Sequence, residues 1–257
     1  MAASMNGLDT DGFWLEGLGD YSDVVIRHSD LPGYSWRLMI PEYGWVSDSV
    51  RAREVDWPER EGKRVCWRWE AERAVKLKAQ NDFWGSAEAR SPEEIEYHLT
   101  YKNLGEQAWG AGQSCLVCLI SGGVPEFQDY EGHRTFVYVC DAGSFVDIDE
   151  VQGGIWADHR MWGGRVPAFA GLTRPAVERL MVKISKNGRY ALGIATDSAV
   201  GVSCNHQIRM SCIHSNPHWG PLEPGEEKTV NGKIYLVESD CEGVLRRYRA
   251  DFGMLCR

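Results

Sequence analysis

The most reactive stretch of the chain runs Ser203-Cys-Asn-His-Gln-Ile-Arg-Met-Ser-Cys-Ile-His-Ser-Asn-Pro-His-Trp219 and holds three of the seven histidines and two of the eight cysteines. Imidazoles titrate near neutral pH, so this concentration suits proton transfer or metal ligation. If residues 202–206 and 209–214 form neighbouring strands, His206 and His214 converge on one face, with Asn205 and Trp219 as candidate substrate contacts. His206, His214 and His218 are also the candidates for a divalent metal, but no H-E-x-x-H or comparably specific spacing supports one and no cofactor is assigned. In the plainer reading these histidines satisfy backbone groups in a turn.

A second cluster, Asp129-Tyr-Glu-Gly-His-Arg134, precedes a strong strand pattern. A β-elimination needs a base, a proton donor and a cation facing a carboxylate, and Tyr130, His133 and Arg134 supply those types. Consecutive strand residues point oppositely, so His133 and Arg134 share a face only if a turn intervenes. The plainer reading is a polar turn feeding the strand. A third group, Gly154-Ile-Trp-Ala-Asp-His-Arg-Met-Trp-Gly-Gly164, sets Trp156 and Trp162 beside His159 and Arg160. Indole faces stack on the apolar side of a pyranose while charged groups bond its hydroxyls, so a carbohydrate is the partner this group suits.

These residues need a scaffold, and the hydropathy pattern supplies strands. In 64–70, Val65, Trp67 and Trp69 alternate with polar neighbours, and in 95–102 Ile95, Tyr97, Leu99 and Tyr101 fill one face. Further strands are expected over 23–27, 34–40, 74–79, 134–139, 144–148, 180–185, 190–196, 209–214 and 229–237. Asn187-Gly188 lies between two apolar runs and marks a hairpin, since both residues tolerate the positive φ of a type I′ turn. Asn231-Gly232 interrupts or precedes the last strand. Ser91-Pro92 begins at most one helical turn, whereas Val244, Leu245, Tyr248 and Phe252 space an amphipathic helix over 241–252. The expectation is all-β: an antiparallel β-sandwich, supersandwich or jelly-roll-like, with a short C-terminal helix, residues 1–257 forming one domain. The glycine- and tryptophan-rich stretch 149–174 lacks alternation and reads as a binding loop.

Composition narrows the partners. A formal net charge of −9 argues against nucleic acid, whose binding draws on clustered Lys and Arg. No apolar run reaches the roughly 20 residues of a membrane span, and no basic, apolar leader opens the sequence. The expected location is therefore cytoplasmic by default, or secreted if a leader has been removed; the oligomeric state is not legible. Eight cysteines in 257 residues are too dilute for a small-domain disulfide framework, and most read as buried thiols. Cys115 and Cys118, three apart in an apolar strand, face opposite sides and would not chelate one ion.

The run Val182-Lys-Ile-Ser-Lys-Asn-Gly-Arg-Tyr-Ala-Leu-Gly-Ile-Ala195, then Cys212-Ile-His-Ser-Asn-Pro and Leu222-Glu-Pro-Gly-Glu226, resembles carbohydrate-active β-sandwiches of the galactose mutarotase-like class. Tyr97-His-Leu-Thr-Tyr-Lys-Asn-Leu-Gly105 is similar to the same class. The resemblance implies a concave sugar-binding sheet. It also implies that the stretch before Leu222-Glu-Pro-Gly-Glu226 is where an aldose epimerase carries its glutamate base. Here Cys212-Ile-His214 stands there instead, which departs from mutarotase chemistry. With no evident pair of catalytic carboxylates, the expectation leans to a polysaccharide lyase-like enzyme, with His133, Tyr130, His159, His206 and His214 in acid/base roles and Arg134, Trp156, Arg160, Trp162, Asn205 and Trp219 as substrate contacts. The alternatives are a non-catalytic carbohydrate-binding module and a glycoside hydrolase, epimerase or metal-dependent enzyme on the same fold.

Overall fold

The computed structural model describes residues 11–19, 23–44, 55–69, 81–151, 155–156, 161–165, 176–207 and 210–256. Their strands, in chain order, are β1 (Phe13–Leu18), β2 (Asp23–His28), β3 (Trp36–Gly44), β4 (Asp56–Glu59), β5 (Glu61–Gly62), β6 (Arg64–Trp69), β7 (Asn81–Ser91), β8 (Glu94–Asn103) and β9 (Trp109–Ile120). There follow β10 (Thr135–Val139), β11 (Ser144–Asp147), β12 (Ile155–Trp156), β13 (Met161–Arg165), β14 (Val177–Ile184), β15 (Ala191–Thr196), β16 (Ala199–Asn205), β17 (Cys212–Leu222), β18 (Glu227–Val237) and the helix α1 (Cys241–Phe252).

The strands form two antiparallel sheets. Sheet A has the order β12-β13-β16-β17-β9-β3-β2-β1-β5, and sheet B the order β11-β10-β14-β15-β18-β8-β7-β6-β4. Alternation decides which side chains meet between them: Leu15, Ile26, Leu38, Val117 and Ile213 from A pack against Val65, Trp67, Leu99, Met181 and Ile194 from B in one core. Each such side chain contributes roughly 1.5–3 kcal/mol on full burial, so the register of every central strand is strongly specified.

The outer face of sheet B is apolar around Leu180, Val182, Ala195 and Tyr235, and α1 covers it with Val244, Leu245 and Tyr248. Asp240 caps the helix by accepting from the Gly243 N–H. No helix among the described residues is long and apolar enough to cross a membrane.

Most expected strands appear, with shifted ends. Asn231-Gly232 lies inside β18, not at its start, because Gly232 leaves room for the Tyr97 ring, which a Cβ there would meet at 2.0 Å. Ser91-Pro92 stands at the β7–β8 hairpin rather than beginning a helix. The strand expected from 209 begins at Cys212 and runs on to Leu222. Two of the cysteines depart from the buried-thiol expectation: Cys140 and Cys256 are joined by a disulfide across 116 residues of sequence. The expected strand 74–79 lies outside the described residues.

Candidate functional site

The register of β16, β17 and β9 places the reactive residues on two different faces. Ser203 pairs with His214, Asn205 with Cys212, and His214 with Cys118, so these side chains share the outer face of sheet A. Cys204 and His206 fall on the opposite parity and turn inward. The expected convergence of His206 and His214 is therefore corrected: β17 starts two residues before His214, β16 ends before His206, and the pairing sets the two imidazoles on opposite sides of the sheet.

On the outer face, Nε2 of His214 lies 3.1 Å from the Cys212 sulfur and Nδ1 lies 3.0 Å from Ser203 Oγ. The sulfurs of Cys118 and Cys212 and a ring nitrogen of His214 all lie within 4.8 Å of one another. The three are buried, with exposures of 0%, 1% and 3%. A hydrogen bond from Cys118, together with the charge and hydrogen bond of His214, holds the Cys212 thiol well below its ordinary range against the opposing effect of burial. Ser203, hydrogen-bonded to Nδ1, orients the ring. Further along the same face, Asn216 Oδ1 is buried without a hydrogen-bond partner among the described residues. His218 follows, half-buried, with Nδ1 accepting from the Gly220 N–H and burial lowering its pKa.

On the inner face, a polar cluster closes one end of the sandwich. Nδ1–H of His206 donates to the Asp129 carbonyl at 2.5 Å, which leaves Nε2 as the acceptor for the Cys204 thiol at 3.2 Å. Burial lowers the His206 pKa, against the opposing effect of the bond to Asp129. Lys183 reaches from β14 to donate to the backbone oxygen and Oγ of Ser211. Desolvation takes its pKa down to about 8. Asp129 accepts from Thr135 Oγ1 and from the N–H groups of Gly132 and Arg134. Ser211 holds φ at 36°, a left-handed conformation that its bonds to Lys183 and Asp129 sustain.

The other expected site residues are dispersed. His133 is 63% exposed and pairs with Asp149 at 3.1 Å, while Tyr130 is exposed on the same loop. Arg134 turns the other way and donates to the carbonyls of Glu126, Ile184 and Gln128, so its guanidinium is occupied by backbone rather than presented to a substrate. Trp219, expected at the substrate, is a core residue: it shares the parity of Ile213, meets Tyr101 edge-on at 4.6 Å and donates to the Leu99 carbonyl. Asn205 is buried and its Oδ1 accepts from the Gln207 N–H. Trp156 and Trp162 lie in strands, Trp162 paired by backbone with Cys204, but their side chains, like His159 and Arg160 altogether, fall outside the described residues.

Ser203, Asn216, Cys118 and Cys212 were not singled out from the sequence as site residues. The i, i+2 spacing of Cys212 and His214 is a same-face signal in any strand, but Cys118 joins them only through the pairing of β17 with β9.

No protein-family model matches the chain. No curated protein matches it either. Among solved structures, a galactose mutarotase related enzyme from Lactobacillus acidophilus is similar over 91% of this chain and 97% of its own, with 8% identity and a TM-score of 0.54. A galactose mutarotase-like protein from Lactobacillus casei is similar over 90% of this chain and 99% of its own, with 9% identity and a TM-score of 0.53. The chain thus has the galactose mutarotase-like fold, an all-β sandwich whose relatives share its architecture and very little of its sequence.

Proposed function

We propose that this chain is a carbohydrate-active enzyme that binds a sugar against the outer face of sheet A and moves a proton at it with His214. The observation that carries the reading is the row His214, Asn216, His218 along β17, in which the buried Asn216 Oδ1 has no donor among the described residues. A buried acceptor without a partner costs about 1–3 kcal/mol, and a sugar hydroxyl that displaces what covers this face is a donor that relieves it. His214 supplies the proton-transfer group, because its two nitrogens already sit in a hydrogen-bonded chain from Ser203 to Cys212.

The relatives of similar fold are described as mutarotase-related or mutarotase-like, which supports a sugar as partner. Within this class the geometry favours proton transfer of the epimerase type over β-elimination. The lyase form needs a cation against a uronate; of the two arginines expected there, Arg134 is bound to three carbonyls at the far side of the cluster that holds His206, and Arg160 lies outside the described residues. A binding module without chemistry would need none of the His214 contacts.

The test is a panel of reducing aldoses followed by proton NMR for anomer exchange, alongside neutral and uronate-containing oligosaccharides followed for new reducing ends and for unsaturated products. Exchange or turnover is expected for the wild type, with a loss of about 100-fold or more in His214→Gln. Asn216→Ala is expected to raise KM with less effect on kcat. Unsaturated products from a uronate would move the assignment to a lyase. Sugar binding with full retention in His214→Gln would leave a binding module.

A further inference from the structure

We propose that Cys118, Cys212 and His214 form a site for a thiophilic metal ion, with Zn2+ as the fitting class. The three come from β9 and β17, neighbouring strands at the middle of sheet A, and the ladder that pairs His214 directly with Cys118 fixes their approach. Two sulfurs and one ring nitrogen converge within 4.8 Å, all three side chains buried.

Tetrahedral zinc with bonds of about 2.3 Å to sulfur and about 2.0 Å to nitrogen separates its ligands by roughly 3.4–3.8 Å. Rotation of the two thiol side chains closes the longest separation, and the 3.1 Å contact between Cys212 and His214 opens slightly. Ser203 Oγ, 3.0 Å from Nδ1, fixes the ring so that Nε2 faces the sulfurs, the usual role of an outer partner of a ligating histidine.

The donor set selects the ion. None of the three is a carboxylate, so hard cations such as Mg2+ and Ca2+ find no oxygen ligand among them. Met39, paired with Cys118 across β3 and β9 and packed in the same buried apolar cluster, adds a soft thioether beside the site. The fourth position goes to this sulfur or to a water. Both cysteines bind as thiolates, so loading releases the thiol protons to solvent.

This site shares His214 with the sugar reading but does not rest on it, since it needs no substrate. An ion on Nε2 would take the nitrogen that now contacts Cys212.

The experiment titrates the chelator-treated 257-residue protein with Co2+ and, separately, with Cd2+. Expected are one equivalent bound, a thiolate-to-cobalt charge-transfer band in the near ultraviolet, and a cadmium NMR resonance in the range of two-sulfur ligation. Cys118→Ser and Cys212→Ser, shown to be folded by circular dichroism, are each expected to weaken binding by roughly ten-fold or more. Because the cadmium measurement uses the unaltered chain, it decides the matter even if a variant fails to fold. A resonance in the oxygen-ligand range, no charge-transfer band, or undiminished binding in folded Cys118→Ser overturns the proposal. None of these readouts depends on activity toward a sugar.

Discussion

At the scale of the residue, Lys183 shows how a buried charge is tolerated and how it should titrate. Its ammonium lies in the core with two hydrogen bonds to Ser211, and burial lowers its pKa from 10.5 to about 8. Below about pH 8 the lysine is charged in both the folded and the unfolded chain, so the full cost of its burial is present. Between about pH 8 and the unfolded value, the unfolded chain holds a proton that the folded chain has released, and stability rises with pH. Lys183→Met removes this dependence while leaving the Ser211 carbonyl its bond from the Ser121 N–H. Chemical denaturation from about pH 7 to pH 10 should show the wild type gaining about 2 kcal/mol relative to the variant. Parallel curves for the two proteins would sink the assignment. Little of this was legible in the sequence, where Lys183 reads as one polar residue in an apolar strand. Which of His206 and His214 faces outward depended on where β16 ends and β17 begins, and alternation alone does not fix a strand end.

At the scale of the element, the C-terminal segment is held to sheet B by three different devices. Val244 of α1 sits over Gly193, where a Cβ would meet it at 2.6 Å. Buried Glu178 accepts from the Tyr248 hydroxyl and from the N–H groups of Leu255 and Cys256. The Cys140–Cys256 disulfide then closes the arrangement. Glu178→Ala leaves one hydroxyl and two backbone donors without their acceptor and should lower stability by about 3 kcal/mol, whereas Glu178→Gln keeps one acceptor and should lose less. Equal stabilities of the two variants in thermal melts would show that the carboxylate is not the anchor. The helix was legible because Val244, Leu245 and Tyr248 keep a 3.6-residue period on an otherwise polar segment. β8 was legible for the matching reason at period two. β7 was not, since Asn81-Asp-Phe-Trp-Gly-Ser-Ala-Glu-Ala-Arg-Ser91 is rich in residues of low strand propensity and is ordered by its pairing with β6 and β8. The disulfide was equally hidden, because a separation of 116 residues carries no spacing signal.

At the scale of the whole molecule, the two sheets are joined through the core by polar links as well as by apolar packing. The Tyr97 hydroxyl of β8 meets Thr196 Oγ1 of β15 at 2.9 Å, and Thr196 meets Ser215 Oγ of β17 at 2.7 Å, so a chain of hydroxyls crosses from sheet B to sheet A. Trp219 of β17 donates to the Leu99 carbonyl of β8, and Lys183 of β14 to Ser211 ahead of β17. All three links end on or beside β17, the strand that carries Cys212, His214, Asn216 and His218. Its outer face is therefore positioned by bonds made on its inner face. The sandwich should then unfold as one cooperative unit in which neither sheet survives the other. Thr196→Val removes the middle of the hydroxyl chain, leaves Ser215 Oγ without that partner while Tyr97 keeps the Ala195 carbonyl, and should cost about 2 kcal/mol. Tryptophan fluorescence and far-ultraviolet circular dichroism, followed through the same urea titration, should give coincident midpoints that move down together in the variant. Midpoints that separate, in either protein, would mean that the sheets open independently and that these links do not couple them.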